Sequence, residues 1–198
     1  MEPVQVPAEI SALFDALDTN AQAARTLVEG LSEDDGRWRP APDAWSVAEC
    51  LDHLAVANRV YLEAMREPAE RARAAERLRR APALPGFFGR LFVNSLEPPA
   101  QSRTKRKAPG KIRPRLSPGL RDSFNAFIAS QEPVRAFLRD YANIDLAGVR
   151  FRNPFIGVIH FSLATGLHVI TAHERRHLWQ AAQVRARRTS DEHAARRT

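Results

Sequence analysis

Two histidines four residues apart, His173 and His177, carry the most specific chemistry in this 198-residue sequence. On a helix that spacing stacks the two imidazoles one turn apart, so both can reach a single ion. Their neutral nitrogens suit a divalent transition metal, namely zinc, nickel, iron or manganese. A purely polar seam between helices is the other reading. It asks more of the surroundings, because each buried imidazole then needs a partner for both ring nitrogens. Far upstream, His53 taken alone reads as a hydrogen-bonded histidine at a helix interface. His168 projects to the opposite side of its helix, with Arg175, and is left out of any site. Cys50 is the only cysteine, which excludes an internal disulfide and a cysteine-based metal cluster. Any metal must use His, Asp or Glu.

The segment His173-Glu174-Arg175-Arg176-His177 also spells the zinc-peptidase pattern, in which the glutamate activates a water. Both variable positions are arginine, where a buried peptidase helix is expected to be apolar. Only 21 residues follow His177, and Glu192 or His193 supplies a third ligand only if that end folds back. Glu174 falls on the apolar side of its helix. It either pairs with an arginine of the linker, supports a ligand from behind, or acts as a base.

Helices must position these groups. Ile10, Leu13, Phe14, Leu17, Ala21, Ala24, Val28 and Leu31 recur at three- and four-residue steps, which predicts a first long helix from Pro7 to Leu31. A polar linker follows. Ser46 with Glu49 forms a capping box, flanked by Trp45 and Cys50 at hydrophobic-staple positions, so a second helix starts at Val47. Pro68 is expected to interrupt it near Glu67, with a solvated helical extension over Ala69 to Arg80. Residues 81–118 hold seven prolines and read as a long crossover with one apolar island, Leu84 to Leu96; its Phe87, Phe88, Leu91 and Phe92 are expected to cover the open side of the bundle, with a peripheral-membrane contact as the lesser alternative. A third helix spans Gly119 to Tyr141, bent near Pro133. A fourth spans about Phe161 to Arg187, and Thr189 to Thr198 reads as a frayed polar tail. The predicted class is all-α: a four-helix bundle over residues 1–188 with a long crossover between helices two and three, then a tail over 189–198.

Composition sets the outer limits. Hydrophobic residues at 44% and charged residues at 27% exclude wholesale disorder and a membrane-embedded protein, and an acidic N-terminus does not read as an export signal, so a cytoplasmic location is expected. The net charge of +7 is local: residues 103–115 hold seven basic and no acidic residues, and without them the chain has 23 of each sign. This segment reads as a solvated loop. It lacks the interleaved aromatics that single-stranded nucleic acid needs, and neither nucleic acid nor membrane is its expected partner.

Trp45-Ser46-Val47-Ala48-Glu49-Cys50-Leu51-Asp52-His53-Leu54, followed far downstream by His173-Glu174-Arg175-Arg176-His177-Leu178-Trp179-Gln180, resembles the DinB-like superfamily of metal-binding four-helix bundles, which includes YfiT-type proteins and bacillithiol transferases. The resemblance implies that His53, His173 and His177 together hold one divalent metal with positions left open. It implies supporting roles for Arg176, Asp52 and Gln180, with Arg176 placed to pair with Asp52 or Glu49 and so fix the two metal-bearing helices. The implied activity is transfer of a low-molecular-weight thiol, or hydrolysis as in other suggested members. A non-catalytic module binding an anionic partner through 103–115 is the alternative. A small-molecule substrate is the expected partner, with a homodimer left open.

Overall fold

The computed structural model describes residues 6–99, 114–115 and 117–195, with side chains described as far as 191. Most of the basic segment 103–115 therefore lies outside the described residues; Pro114 and Arg115 are within them. Four long helices form the body: α1 (Ala8–Val28), α3 (Val47–Ala74), α5 (Leu120–Tyr141) and α6 (Leu163–Ala195). Two short ones, α2 (Glu33–Arg37) and α4 (Phe87–Asn94), lie in the linker and the crossover. A two-stranded antiparallel hairpin, β1 (Arg150–Arg152) with β2 (His160–Ser162), runs straight into α6, with Phe151 opposite Phe161. Helix α3 packs on α5 and α6, and α1 closes the ring against the same two helices. This is an all-α bundle with a minor hairpin. Among the described residues no helix is long and apolar enough to cross a membrane.

The local signals explain most boundaries. Ser46 accepts from the Glu49 amide while the Glu49 carboxylate accepts from Ser46 N–H, so α3 begins where its capping box places it. Within the polar linker Ser32 and Asp35 build a second capping box that starts α2. Glu33 of that helix accepts from the Leu120 and Arg121 amides at 2.8 and 3.0 Å, which caps an α5 that has no side-chain cap of its own. The backbone amides of Arg121 and Leu120 hold the Glu33 carboxyl below its ordinary range.

Three expectations need correction. Pro68 does not stop α3, which continues to Ala74. A proline removes one hydrogen bond, but Met65, Ala69 and Ala72 keep the buried stripe going on its far side, and that burial holds the helix together. The extension then ends well short of Arg80. The tail is helical to Ala195: Thr189 and Ser190 bond the Arg185 and Ala186 carbonyls within one unbroken α6. Finally, the apolar island only half covers the bundle. Gly89 and Val93 are buried and Phe92 and Leu96 pack on the core, whereas Phe87, Phe88 and Leu91 face outward.

The core consists of two apolar clusters with a polar layer between them. One cluster gathers Leu17, Tyr61, Val134 and Ile170; the other gathers Ala24, Leu54, Phe127 and Leu178. Between each such pair a long helix contributes a buried side chain to this layer: Asn20 on α1, Asn58 on α3, Gln131 on α5 and Glu174 on α6. All three amides donate to the Glu174 carboxylate, at 2.8, 2.7 and 2.9 Å. Asn20 also reaches the Thr171 carbonyl, and Asn58 the Ser130 hydroxyl. Burial pushes the Glu174 carboxyl up to about 7, against the opposing pull of these hydrogen bonds.

A buried layer of this kind should cost more to break than to replace. Glu174→Ala removes the acceptor that three buried amides share, leaving Asn20 only the Thr171 carbonyl and Asn58 only the Ser130 hydroxyl, and is expected to lower stability by about 2–4 kcal/mol in urea melts. Exchanging Asn20, Asn58, Gln131 and Glu174 together for apolar residues of matched volume should recover much of that loss. Close approach of α6 to α3 and β1 makes a second expectation. A Cβ on Gly166 would lie 2.6 Å from Met65 Sδ and 2.8 Å from the Phe151 ring, so Gly166→Ala should destabilise by about 1–3 kcal/mol, read as a fall in Tm of several degrees.

Candidate metal centre

His53 projects from α3 and His173 and His177 from α6, the two helices that pack directly on one another. One ligand atom from each of the three rings lies within 4.8 Å of the others. Nε2 of His53 and Nε2 of His173 are 3.3 Å apart. The rings meet edge to face, with centroids 4.5 to 5.0 Å apart in all three pairs. His53 is buried and the other two are partly so.

Two of the rings, His173 and His177, are held neutral. Burial, followed by the neighbouring His53 and Arg176, depresses His173 to about 3. Burial, then His173, His53 and Arg176, holds His177 well below its ordinary value. Gln180 opposes this at the His177 ring through its side chain, yet His177 Nδ1 is buried with no hydrogen-bond partner.

These features fit a metal ion. Two nitrogens each about 2.1 Å from a tetrahedral ion lie about 3.4 Å apart, close to the His53–His173 separation. The donor set is all imidazole and uncharged, a set suited to zinc, nickel, copper or iron. A buried orphan nitrogen is costly unless something accepts its lone pair. The histidines of this chain therefore make a cluster that could hold one divalent cation.

Glu174 stands apart from it. Its carboxylate is not among the mutually close ligand atoms and is occupied by three amides, rather than by an arginine of the linker. Asp52, next to His53, is buried and accepts from both the backbone amide and the guanidinium of Arg115, each at 2.8 Å. Glu49 pairs with Arg39. Both carboxylates expected to meet Arg176 thus have other arginines, because the linker and the end of the crossover run past the start of α3. Arg176 instead donates to the Ser95 carbonyl just beyond α4. Glu192 and His193 sit on the unbroken α6, whose rise carries them more than about 20 Å beyond His177. They cannot return to the cluster, and the peptidase arrangement is not formed. His168 is partly buried against the Ala83 carbonyl, on another face.

Trp45 is the neighbour that sequence reasoning read only as a helix staple. Its ring lies 4.7 Å from that of His53 and 5.6 Å from that of His177, so it walls one side of the cluster. Nothing in its spacing separates that role from stapling. Cys50, fully buried, is no rival nucleophile: burial and Glu49 push its thiol far up.

No curated protein and no solved structure matches the chain. The model of the DinB superfamily matches residues 16–181. That span runs from α1 through the polar layer to His177 and includes all three clustered histidines, so the chain belongs to the DinB superfamily.

Proposed function

We propose that His53, His173 and His177 bind one divalent transition metal and that the chain is a metal-dependent transferase acting on a low-molecular-weight thiol. The observation that carries the reading is the donor set, three imidazoles with no carboxylate among the mutually close ligand atoms. A metal held by uncharged ligands keeps its full positive charge and lowers the pKa of a thiol or water that reaches it, which supplies a nucleophile near neutral pH.

The protein's own groups prepare that site. Burial keeps His173 and His177 unprotonated, so their lone pairs are available without prior loss of a proton. Trp45 shields His53 and His177 on one side. The Arg115–Asp52 pair ties the end of the crossover to the residue before His53, which orients the start of α3. Arg176, between His173 and His177 in sequence, adds positive charge beside them and favours an anionic form of whatever small molecule enters.

Metal analysis of protein purified without a histidine tag should find about one equivalent of a single transition metal. His53→Ala, His173→Ala and His177→Ala should each weaken cobalt or zinc binding by roughly a hundredfold or more in calorimetric titrations. Adding a low-molecular-weight thiol to the cobalt-loaded protein should change its visible absorption, and His177→Ala should abolish the change. An unchanged spectrum with saturating thiols of several types counts against the transferase and leaves a hydrolase of the same family. Equal metal affinity in all three alanine variants would remove the site itself.

A further inference from the structure

The outward half of α4 is apolar. Gly89 and Val93 are buried, while Phe87, Phe88 and Leu91 are 66, 81 and 54% exposed. At helical spacing these three share an arc of about 100°, and the two phenylalanine rings meet edge to face at 5.4 Å. Leu84, in the lead-in to the helix, is 51% exposed. Single exposed apolar residues are ordinary, but two aromatics and two leucines on one short helix and its lead-in mark an interaction surface. The same end of the bundle exposes Val158 in the turn that feeds β2, whose Phe161 packs on Phe92 of α4 at 4.9 Å.

The charge beside this face has one sign. From Arg77 to Leu96 the sequence holds four arginines and no acidic residue. Arg77 and Arg79 are paired with Asp145 and Glu9. Arg80 and Arg90 are exposed, and neither has a carboxylate at ion-pairing distance among the described residues.

Two arguments select the occupant. A second copy related by a two-fold axis would bring this basic face against itself, with no acidic residue on it to answer. An eight-residue helix is also only about 12 Å long, too small for the roughly 800 Å² per partner that a stable protein interface buries. A lipid surface requires neither self-complementarity nor area. Apolar side chains enter the acyl boundary one by one, and flanking arginines meet the phosphates of anionic headgroups.

We infer that α4 is a peripheral docking element for an anionic lipid surface, with Leu84, Phe87, Phe88 and Leu91 inserted and Arg80 and Arg90 at headgroup level. The exposed face lies toward the start of α4, whereas Ser95 beyond its end is the residue that meets Arg176 of the histidine helix. Thr165, which meets Gly89 of α4, precedes His173 by eight residues, about 12 Å of helix, so changes to the exposed face leave the metal residues in place.

Co-sedimentation of the full chain with vesicles tests this, using phosphatidylcholine alone and phosphatidylcholine with about one third phosphatidylglycerol. Binding should be roughly tenfold or more stronger to the anionic vesicles and should fall with salt. The double variants Phe87→Ser with Phe88→Ser, and Arg80→Glu with Arg90→Glu, should each lose about tenfold while keeping helicity and metal content. Phe88→Trp gives a readout that does not depend on a destabilising change: its emission should be quenched by bromine on the acyl chains. Absence of that quenching, equal binding to neutral and anionic vesicles, or unchanged binding of the serine variant each overturns the inference. So does a wild-type dimer in sedimentation velocity that the serine variant converts to monomer, which would assign the face to a second copy.

Discussion

A single buried carboxylate organises this molecule. Glu174 lies at the level where the two apolar clusters would otherwise meet, and its oxygens accept from Asn20, Asn58 and Gln131, one amide from each of the other long helices. Apolar packing alone tolerates sliding, because one leucine layer resembles the next. A charged or polar acceptor with three directed donors does not, since any axial shift of one helix leaves a buried group unsatisfied. Register is therefore fixed at one layer for all four helices, the best-attested use of a buried polar group.

The consequence reaches the histidines through the helices themselves. His173 is the neighbour of Glu174, and His53 precedes Asn58 by five residues on α3. Once Asn58 and Glu174 are bonded, α3 and α6 have no freedom to slide, and His53 meets His173 at 3.3 Å. His177 follows one turn later. The residue that the peptidase pattern would assign to water activation thus sets where the two histidine-bearing helices stand. Its oxygens are engaged by three amides and are not among the mutually close ligand atoms of the cluster.

What the sequence showed and what it hid follow the same physics. Helix periodicity and the Ser46–Glu49 box located the long helices and the start of α3, because those signals are local. The histidine pair was legible for the same reason, since a four-residue spacing on one helix needs no tertiary information. The ends of α3 and α6 were misplaced because Pro68 and a polar C-terminal composition are local penalties, while the burial of Ala69 and Ala72 and the continuous hydrogen bonding of α6 outweigh them. The polar layer left a trace that went unread: Asn20, Asn58 and Gln131 each sit at helical spacing inside an apolar stripe, where a solvated amide would be out of place. Partners of Asp52 and Arg176 were not legible at all, for ion pairs between distant segments depend on where loops pass.

Those loop paths show how the crossover relates to the centre. Its described ends are both fastened to the histidine-bearing helices. On one side Glu97 pairs with Arg175 and the Ser95 carbonyl accepts from Arg176; on the other Arg115 bonds Asp52 beside His53. Between these anchors, loop closure grows only slowly more unfavourable with length. A long insertion at this place therefore weighs little on the bundle, while its ends stay at the border of the site. The acidic partners also matter for electrostatics. Arg39, Arg115 and Arg175 are each neutralised by Glu49, Asp52 and Glu97, so three of the arginines around the start of α3 and the middle of α6 act as ties between segments, while Arg176 adds positive charge beside His173 and His177.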